Sequence, residues 1–460
     1  MGTQISGITA DSRAVQPGFM FAALPGVKAD GRRFIAEAVA RGAAAVLAPP
    51  DTVWPAGVPP RPLVLDAAPR ERLAIIAAEL AGPMPKTLVA VTGTNGKTST
   101  VDFLRQIFIA AGQQAASLGT LGVIAEAMPQ TASLTTPDAV TLANTLADLA
   151  RHGITHAALE ASSHGLEQSR MAGLRFAAAG FSNLTRDHLD YHGTMDAYRA
   201  AKLRLFESLL PAGAPAVAMA DLDKETLARL RGVAVRRRLD LRLVGVAAVR
   251  ALPAGQEVTA DLPGGRRTEF LPLPGRFQAD NAVLAAGIAG AVGIEHAWSH
   301  LAHLQPVRGR LELAATFANG AAAYVDYAHT PDAIERVLRA LRPHATGRLV
   351  IVFGAGGDRD AGKRPLMGAA AAALADMAIV TDDNPRTEDA AGIRREILMA
   401  CPGGIEIADR AAAIAAGLDA LAPGDVLVVA GKGHESGQII GSEILPFDDA
   451  AVIRSLAGAR

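Results

Sequence analysis

The chain has 460 residues, half of them hydrophobic but only 4% aromatic, with a formal net charge of -1 and a single cysteine. That length exceeds one typical core and predicts two or three domains, while the near-neutral balance gives no general attraction to nucleic acid or to an anionic membrane. The lone cysteine, Cys401, excludes an internal disulfide and any multi-cysteine metal site, and reads as a buried bystander.

The apolar residues are mostly Ala, Val, Leu and Ile, which suits helices packed on buried parallel strands. The opening "MGTQISGITADSR" lacks the basic-then-apolar order of a secretory leader, and no later apolar run is long enough to span a membrane, so a soluble cytoplasmic protein is expected. Met1-Gly2 followed by Ser6 formally fits a myristoylation pattern, too short to carry weight. "GFMFAAL", the helical "RRFIAEAVARG", "AAAVLA" and "PLVLD" predict short strands and a helix within residues 1–85, closed by the proline pair of "AGPMPK".

From there "KTLVAVTGTNGKTSTVDFLRQIFIAAG" reads as strand, glycine-rich turn and helix. Gly93 and Gly96 let backbone N–H groups approach phosphate oxygens, Lys97 adds charge, and the Thr98 hydroxyl stands where magnesium is ligated at a helix N-terminus. The loop is Gly-x-x-Gly-Lys-Thr and not a full Walker A, since Val91 holds the usual first glycine position. Two further strands are expected in "THAALEASSHG" and "AAAGFSNLTRDHLD". Glu160 ends the first of these as a hard oxygen ligand for magnesium; alternatively it is a buried, hydrogen-bonded acid. His188 and His192 stand beside Asp187 and Asp190; lone histidines are more often structural than ligating, and by residue type alone this cluster is balanced between the two.

A further unit is expected from about residue 308, after a central one at 86–307. "AAAYVDYAHTPD", "RLVIVFGAGGDRD", "MAIVTDDNPRTED" and "DVLVVAGKGHESG" alternate with alanine-rich helical stretches, which predicts a doubly wound parallel sheet with polar residues at the carboxyl ends of its strands. "TDDNPRTED" packs both signs of charge against the end of one such strand.

Taken in order, "TGTNGKTS", "LEASSHGLEQSR", "NLTRDHLDYHG", "YRAAKLRLF", "DYAHTPD", "GAGGDRDAGKRPLM", "DDNPRTED" and "GKGHE" span most of the chain and resemble the Mur ligases, within them the branch that adds diaminopimelate. The resemblance implies an α/β protein of three domains: an N-terminal one for a UDP-sugar, a central P-loop ATPase, and a C-terminal Rossmann-like domain for the incoming amino acid. It implies a step in peptidoglycan precursor synthesis in which ATP phosphorylates the D-glutamate side-chain carboxylate of UDP-N-acetylmuramoyl-L-alanyl-D-glutamate. The amine of meso-2,6-diaminopimelate then attacks the acyl phosphate.

By the same resemblance, Gly93, Thr94, Asn95, Gly96, Lys97, Thr98 and Ser99 bind ATP, with Asn281 on adenine, Asp326 on ribose and Arg310 reaching the phosphates. Thr98 and Glu160 ligate Mg2+, and His188 a second Mg2+. Lys202 in "YRAAKLRLF", by itself a helix lysine with its head in water, matches the lysine that the family carbamylates. Ser12, Thr135, Thr136, Ser162, Gln168 and Arg170 hold the UDP-muramoyl dipeptide. Arg359, Asp383, Asn384, Pro385, Arg386, Gly431 and Glu435 hold diaminopimelate, with Arg386 on the distal carboxylate that L-lysine lacks. The small-molecule substrates are the expected partners of a monomer. After "GKGHE" the chain reads "SGQIIG", where many relatives have an aromatic at the second position. The alternatives are a lysine-adding relative, a folylpolyglutamate synthetase, or a nucleotide switch without ligase chemistry. The arginine of "DNPR" opposes the first, "DSR" with "EASSH" the second, and the Arg359, Arg386 and Glu435 set the third.

Overall fold

The computed structural model describes the chain except residues 1–4, 27–28, 127, 132–134, 253–254 and 459–460, and except the side chains of 128–131 and Asp190. The first four residues of the acylation pattern, Leu134 of "LTTPD" and the Asp190 carboxylate therefore lie outside what is described. By packing, the chain divides into two units: residues 1–245 with 262–265 and 281–298, and residues 246–261 with 266–280 and 299–460.

In the first unit, the run Thr87–Thr92 (TLVAVT) is buried from Leu88 onward, as a strand covered on both faces must be. It lies in parallel between His156–Glu160 and Ala178–Phe181, with Val91 opposite Glu160 on one side and Gly180 on the other. Parallel pairing brings three carboxyl ends to the same edge of the sheet, and this alone gathers the glycine-rich turn, Glu160 and the loop after Phe181. Ala115–Gly119, Pro215–Met219 and the start of Asp240–Leu252 extend the parallel order, and Gly122–Ala125 and Met128–Thr131 add an antiparallel margin.

The N-terminal segment makes its own parallel sheet of Gly7–Thr9, Phe19–Ala22, Ala45–Ala48 and Leu63–Leu65. The last three fall where the sequence placed them. This sheet joins the central one through the helix Pro69–Ala81, whose Leu73 and Ala77 share an apolar cluster with Ala143 of the helix Ala139–Arg151.

The second unit holds a six-stranded sheet in the order Glu312–Thr316, Ala322–Asp326, Val426–Ala430, Leu349–Phe353, Met377–Val380, Ile405–Glu406. All neighbours are parallel except the first pair. The strand LVIVF shows how two faces are filled from one segment. Leu349, Ile351 and Phe353 join one core cluster and Val350 and Val352 the other. Burying each side chain of this size stabilises the fold by roughly 1.5–3 kcal/mol. The four strands read from the sequence are all present; the antiparallel Glu312–Thr316 and the two-residue Ile405–Glu406 are additions. No helix among the described residues is long and apolar enough to cross a membrane. Cys401 is buried and unpaired.

Candidate active site

The glycine-rich turn of the first unit is held from outside itself. Thr94 donates its N–H to the Asn183 carbonyl at 2.9 Å and Asn95 to the Asn183 side chain at 2.9 Å, while Ser182 and Asn183 side chains both return to the Asn95 carbonyl. The loop is thus riveted to the strand end beside it. Gly96 sits at φ 84°, and a Cβ there would stand 2.1 Å from Asn281 Oδ1, so the buried Asn281 packs directly on the turn.

Lys97 donates to the Gly93 and Thr94 carbonyls at 2.9 Å each. Lys202 comes from the helix Met195–Arg204 to the same Gly93 carbonyl, at 2.7 Å, with its ammonium nitrogen 4.3 Å from the centre of the Tyr198 ring. Lys202 is only 1% exposed, so its head is not in water as the isolated residue suggested. Burial, with the charge of Lys97 adding to it, drives its pKa well below that of an ordinary lysine. Tyr198 also donates to Thr94 Oγ1 at 3.2 Å, and burial raises its pKa above that of an ordinary phenol, favouring the neutral form. Thr98 and Ser99 are buried in the first turn of the helix Lys97–Ala110.

Glu160 is 2% exposed, and its two oxygens accept from Thr120: Oε1 from the backbone N–H at 2.7 Å and Oε2 from the hydroxyl at 3.2 Å. The Thr120 hydroxyl also meets the Thr135 hydroxyl at 3.1 Å. Thr136 donates to the Glu160 carbonyl and accepts from the Ser162 N–H. Arg170 donates to the Thr136 carbonyl at 2.5 Å and to Gln168 Oε1 at 2.8 Å. Ser162 caps the short helix Ser163–Glu167 through the Gly165 N–H. Gln168 and Arg170 line a cleft of about 480 Å³ together with Thr9, Asp11, Arg70 and Asp138. Ser12 is buried apart from this network and donates to Glu37 at 2.9 Å.

His188, at φ 52°, lies beside Asp187 at 3.5 Å, and its ring meets those of His164 at 5.1 Å and Tyr198 at 6.1 Å. His188 and Lys202 are therefore both neighbours of the Tyr198 ring. His192 has a buried side chain and bonds Ser163 Oγ at 2.9 Å, which fits a structural role.

In the second unit, Asp326 Oδ2 accepts from the Leu311 N–H at 2.7 Å and Oδ1 from the Ala328 N–H at 2.8 Å, holding the turn that carries Arg310. Burial nevertheless raises its pKa to about 6 against the pull of Arg310 and those two bonds. The Arg310 guanidinium lies over the Tyr327 ring at 4.5 Å.

The loop after Met377–Val380 joins the loop after Val426–Ala430. Asn384 donates to Glu435 Oε2 at 2.9 Å, and Gly431 faces Asp383 so closely that a Cβ would stand 2.5 Å from Asp383 Oδ2. Arg386, at φ 52°, donates to the Gly357 carbonyl at 2.8 Å, and the Pro385 carbonyl closes a turn with the Glu388 N–H. The exposed Arg359 donates to the Asp358 carbonyl at 3.3 Å. A hairpin, Gly437–Ile440 with Glu443–Pro446, grips this loop through Arg386 N–H to the Ile439 carbonyl and Gly441 N–H to the Arg386 carbonyl.

Sequence reasoning missed Thr120, Tyr198, Arg70, Lys432 and the hairpin. Thr120 follows a strand in "SLGTLG", a turn-like stretch with nothing to mark it, and its pairing with Glu160 crosses forty positions. Lys432 stood inside "GKGHE" without a role.

Three family models match: the Mur ligase family catalytic domain over residues 4–81, the Mur ligase middle domain over 91–289, and the Mur ligase glutamate ligase domain over 309–433. The chain is 52% identical over 470 aligned residues to a protein of Caulobacter vibrioides called UDP-N-acetylmuramoyl-L-alanyl-D-glutamate--2,6-diaminopimelate ligase, covering 99% of this chain and 96% of that one. A Brucella melitensis protein of the same name is 50% identical, with 99% and 95% covered. A solved structure bearing that name superposes with a TM-score of 0.74 at 35% identity, covering 99% of this chain and 95% of that one.

Proposed function

The chain belongs to the Mur ligase family, and from that premise we propose that it joins meso-2,6-diaminopimelate to the D-glutamate side chain of UDP-N-acetylmuramoyl-L-alanyl-D-glutamate, forming ADP and phosphate. Its three domains are taken as residues 1–85, 86–307 and 308–460. The observation that carries the choice of amino acid is the Asp383–Arg386 loop bonded to Glu435. Diaminopimelate ends in an ammonium and a carboxylate on one carbon; carboxylate and amide oxygens suit the first, and the Arg386 fork suits the second.

In the first step a D-glutamate carboxylate oxygen attacks the γ-phosphorus of ATP, the β–γ bridging bond breaks, and ADP leaves. The glycine-rich turn and Lys97 bind the phosphates, with Lys97 turning from the Gly93 and Thr94 carbonyls to do so, and Asn281 meets adenine. Arg310 and Asp326 take the phosphate and ribose contacts. In the second step the free amine attacks the acyl carbon, the C–O bond to phosphate breaks, and the amine loses its proton to leave an amide. Thr135, Thr136, Ser162, Gln168 and Arg170 hold the muramoyl dipeptide, and Ser12 its nucleotide end.

Thr98 and Glu160 would hold Mg2+: a helix-start hydroxyl and a buried acid whose oxygens are already oriented by Thr120 are the hard donors that such an ion takes. Bound there, it would neutralise charge on the transferring phosphoryl group. His188 would serve a second ion. Lys202 would carry a carbamate: its neutral amine is the form that adds carbon dioxide, and the anion produced would be drawn to Lys97 where an ammonium is repelled. We further propose that the protein acts as a monomer in the cytoplasm, without nucleic acid or membrane as partners.

The test is phosphate release with MgATP and the UDP-muramoyl dipeptide, comparing meso-diaminopimelate, L-lysine and no amino acid, with product mass checked. Turnover with diaminopimelate alone is expected. Equal turnover with lysine would remove the role given to Arg386, and release indifferent to both added substrates would remove the ligase reading.

A further inference from the structure

We infer that Lys432 is a positioning residue that sets the charge balance of the amino-acid site and thereby the preference for diaminopimelate over L-lysine; this rests on the reading that Asp383–Arg386 and Glu435 receive the amino acid. Lys432 is 0% exposed, between Gly431 at φ 118° and Gly433 at φ 56°. Those two left-handed turns carry the chain past Asp383 and Tyr327 and deliver the ammonium inward. Its Nζ donates to Asn384 Oδ1 at 2.8 Å, lies 3.4 Å from Glu435 Oε2, and is 3.7 Å from Asp383 Oδ1.

Two consequences follow from those contacts. Asn384 Oδ1 accepts from Lys432 and also from the Ile439 N–H at 2.9 Å, so the amide carbonyl is committed to two donors. Its NH2 must then face Glu435, as it does at 2.9 Å. Lys432, together with the Ile439 N–H, thus fixes which way the amide faces.

The second consequence is electrostatic. Asp383 and Glu435 bring two negative charges, and Lys432 and Arg386 two positive ones. The neighbouring Arg410 is accounted for by Asp449, which binds it through both oxygens at 2.7 Å. Arg359 adjoins Asp358 in sequence, and the half-buried Lys363 feels both Asp383 and Asp360, so those four add two charges of each sign. The set therefore sums to zero, matching the distal end of diaminopimelate, which carries one charge of each sign. Without Lys432 the set is net negative and complements a lone ammonium, the distal end of L-lysine.

Lys432→Met is compared with the unchanged protein in KM for each substrate, kcat, thermal midpoint, and the ratio of kcat/KM for diaminopimelate over L-lysine. The expected result is a rise of tenfold or more in KM for diaminopimelate, a fall of tenfold or more in the ratio, and KM for ATP within twofold. Lys432→Met/Glu435→Gln, which removes one charge of each sign, is expected to recover part of the lost ratio. Should Lys432→Met not fold, Lys432→Gln keeps a donor without charge and is read the same way. An unchanged ratio in a folded variant, or a uniform loss of kcat with both KM values and the ratio unmoved, would overturn the inference. Failure of the unchanged protein to use diaminopimelate would instead remove the functional reading beneath it.

Discussion

Two buried ionisable side chains carry opposite consequences for the protein. Lys202 is held where its charged form is disfavoured by burial and by Lys97, so Lys202→Met exchanges one hydrogen bond to the Gly93 carbonyl for relief of a disfavoured charge and should leave the thermal midpoint within a few degrees. Activity should fall at least about 100-fold, because the proposed carbamate would be lost with the amine. Carbon dioxide depletion of the unchanged protein should lower activity and bicarbonate restore it; a fully active Lys202→Met would end that role. Asp326 behaves differently. Its pKa is raised from 3.8 to about 6, chiefly by burial, so the native state holds a proton that the unfolded chain gives up. The corresponding stability is fully present below about pH 4 and lost as pH rises through about 6, by roughly 3 kcal/mol. Denaturant unfolding at pH 4.5 and pH 7 should show that decline, and Asp326→Asn should flatten it, since the amide cannot ionise.

The turn after Thr87–Thr92 tests what an element's geometry requires, because one helix is bounded by two left-handed glycines. Gly96 precedes Lys97–Ala110 at φ 84° with Asn281 against it, and Gly112 follows at φ 78° with nothing within 4 Å of an added Cβ. Both Gly96→Ala and Gly112→Ala incur about 1–2 kcal/mol of backbone strain, but only the first should displace Asn281 and the N–H groups proposed to bind phosphate. Measured by calorimetry, nucleotide affinity should drop by 100-fold or more in Gly96→Ala and stay within twofold in Gly112→Ala, while thermal midpoints fall in both. Equal nucleotide binding by the two would show that the turn is not the phosphate site. This same segment explains what could be read beforehand. Strand, turn and helix are local and announce themselves in TLVAVT, Gly-x-x-Gly-Lys-Thr and the apolar period that follows. The partners of Glu160 and Asn384 are not local: Thr120 is brought by the parallel pairing of Ala115–Gly119 with His156–Glu160, and Lys432 by that of strands around Leu349–Phe353. Short strands such as Gly7–Thr9 and Ile405–Glu406 were also illegible, since so few residues show no period.

For the molecule as a whole, the proposed chemistry separates acid activation, assigned chiefly to groups of the first unit, from amine selection, assigned to groups of the second. Activation needs no amine. Rapid mixing of MgATP and the UDP-muramoyl dipeptide should therefore yield an ADP burst approaching one equivalent per chain, followed by slow release as water attacks the acyl phosphate. Adding diaminopimelate should convert the burst into steady turnover, whereas L-lysine should leave it little changed. The expected gap in kcat/KM is about 1,000-fold, because lysine leaves the Arg386 guanidinium without its carboxylate, and sites built around a polar partner reject analogues lacking it by factors of this size. Arg386→Ala should narrow that gap mainly by weakening diaminopimelate, leaving the burst intact. A burst abolished by Arg386→Ala would mean that the residue serves activation instead, and the division of labour between the two sets of residues would have to be redrawn.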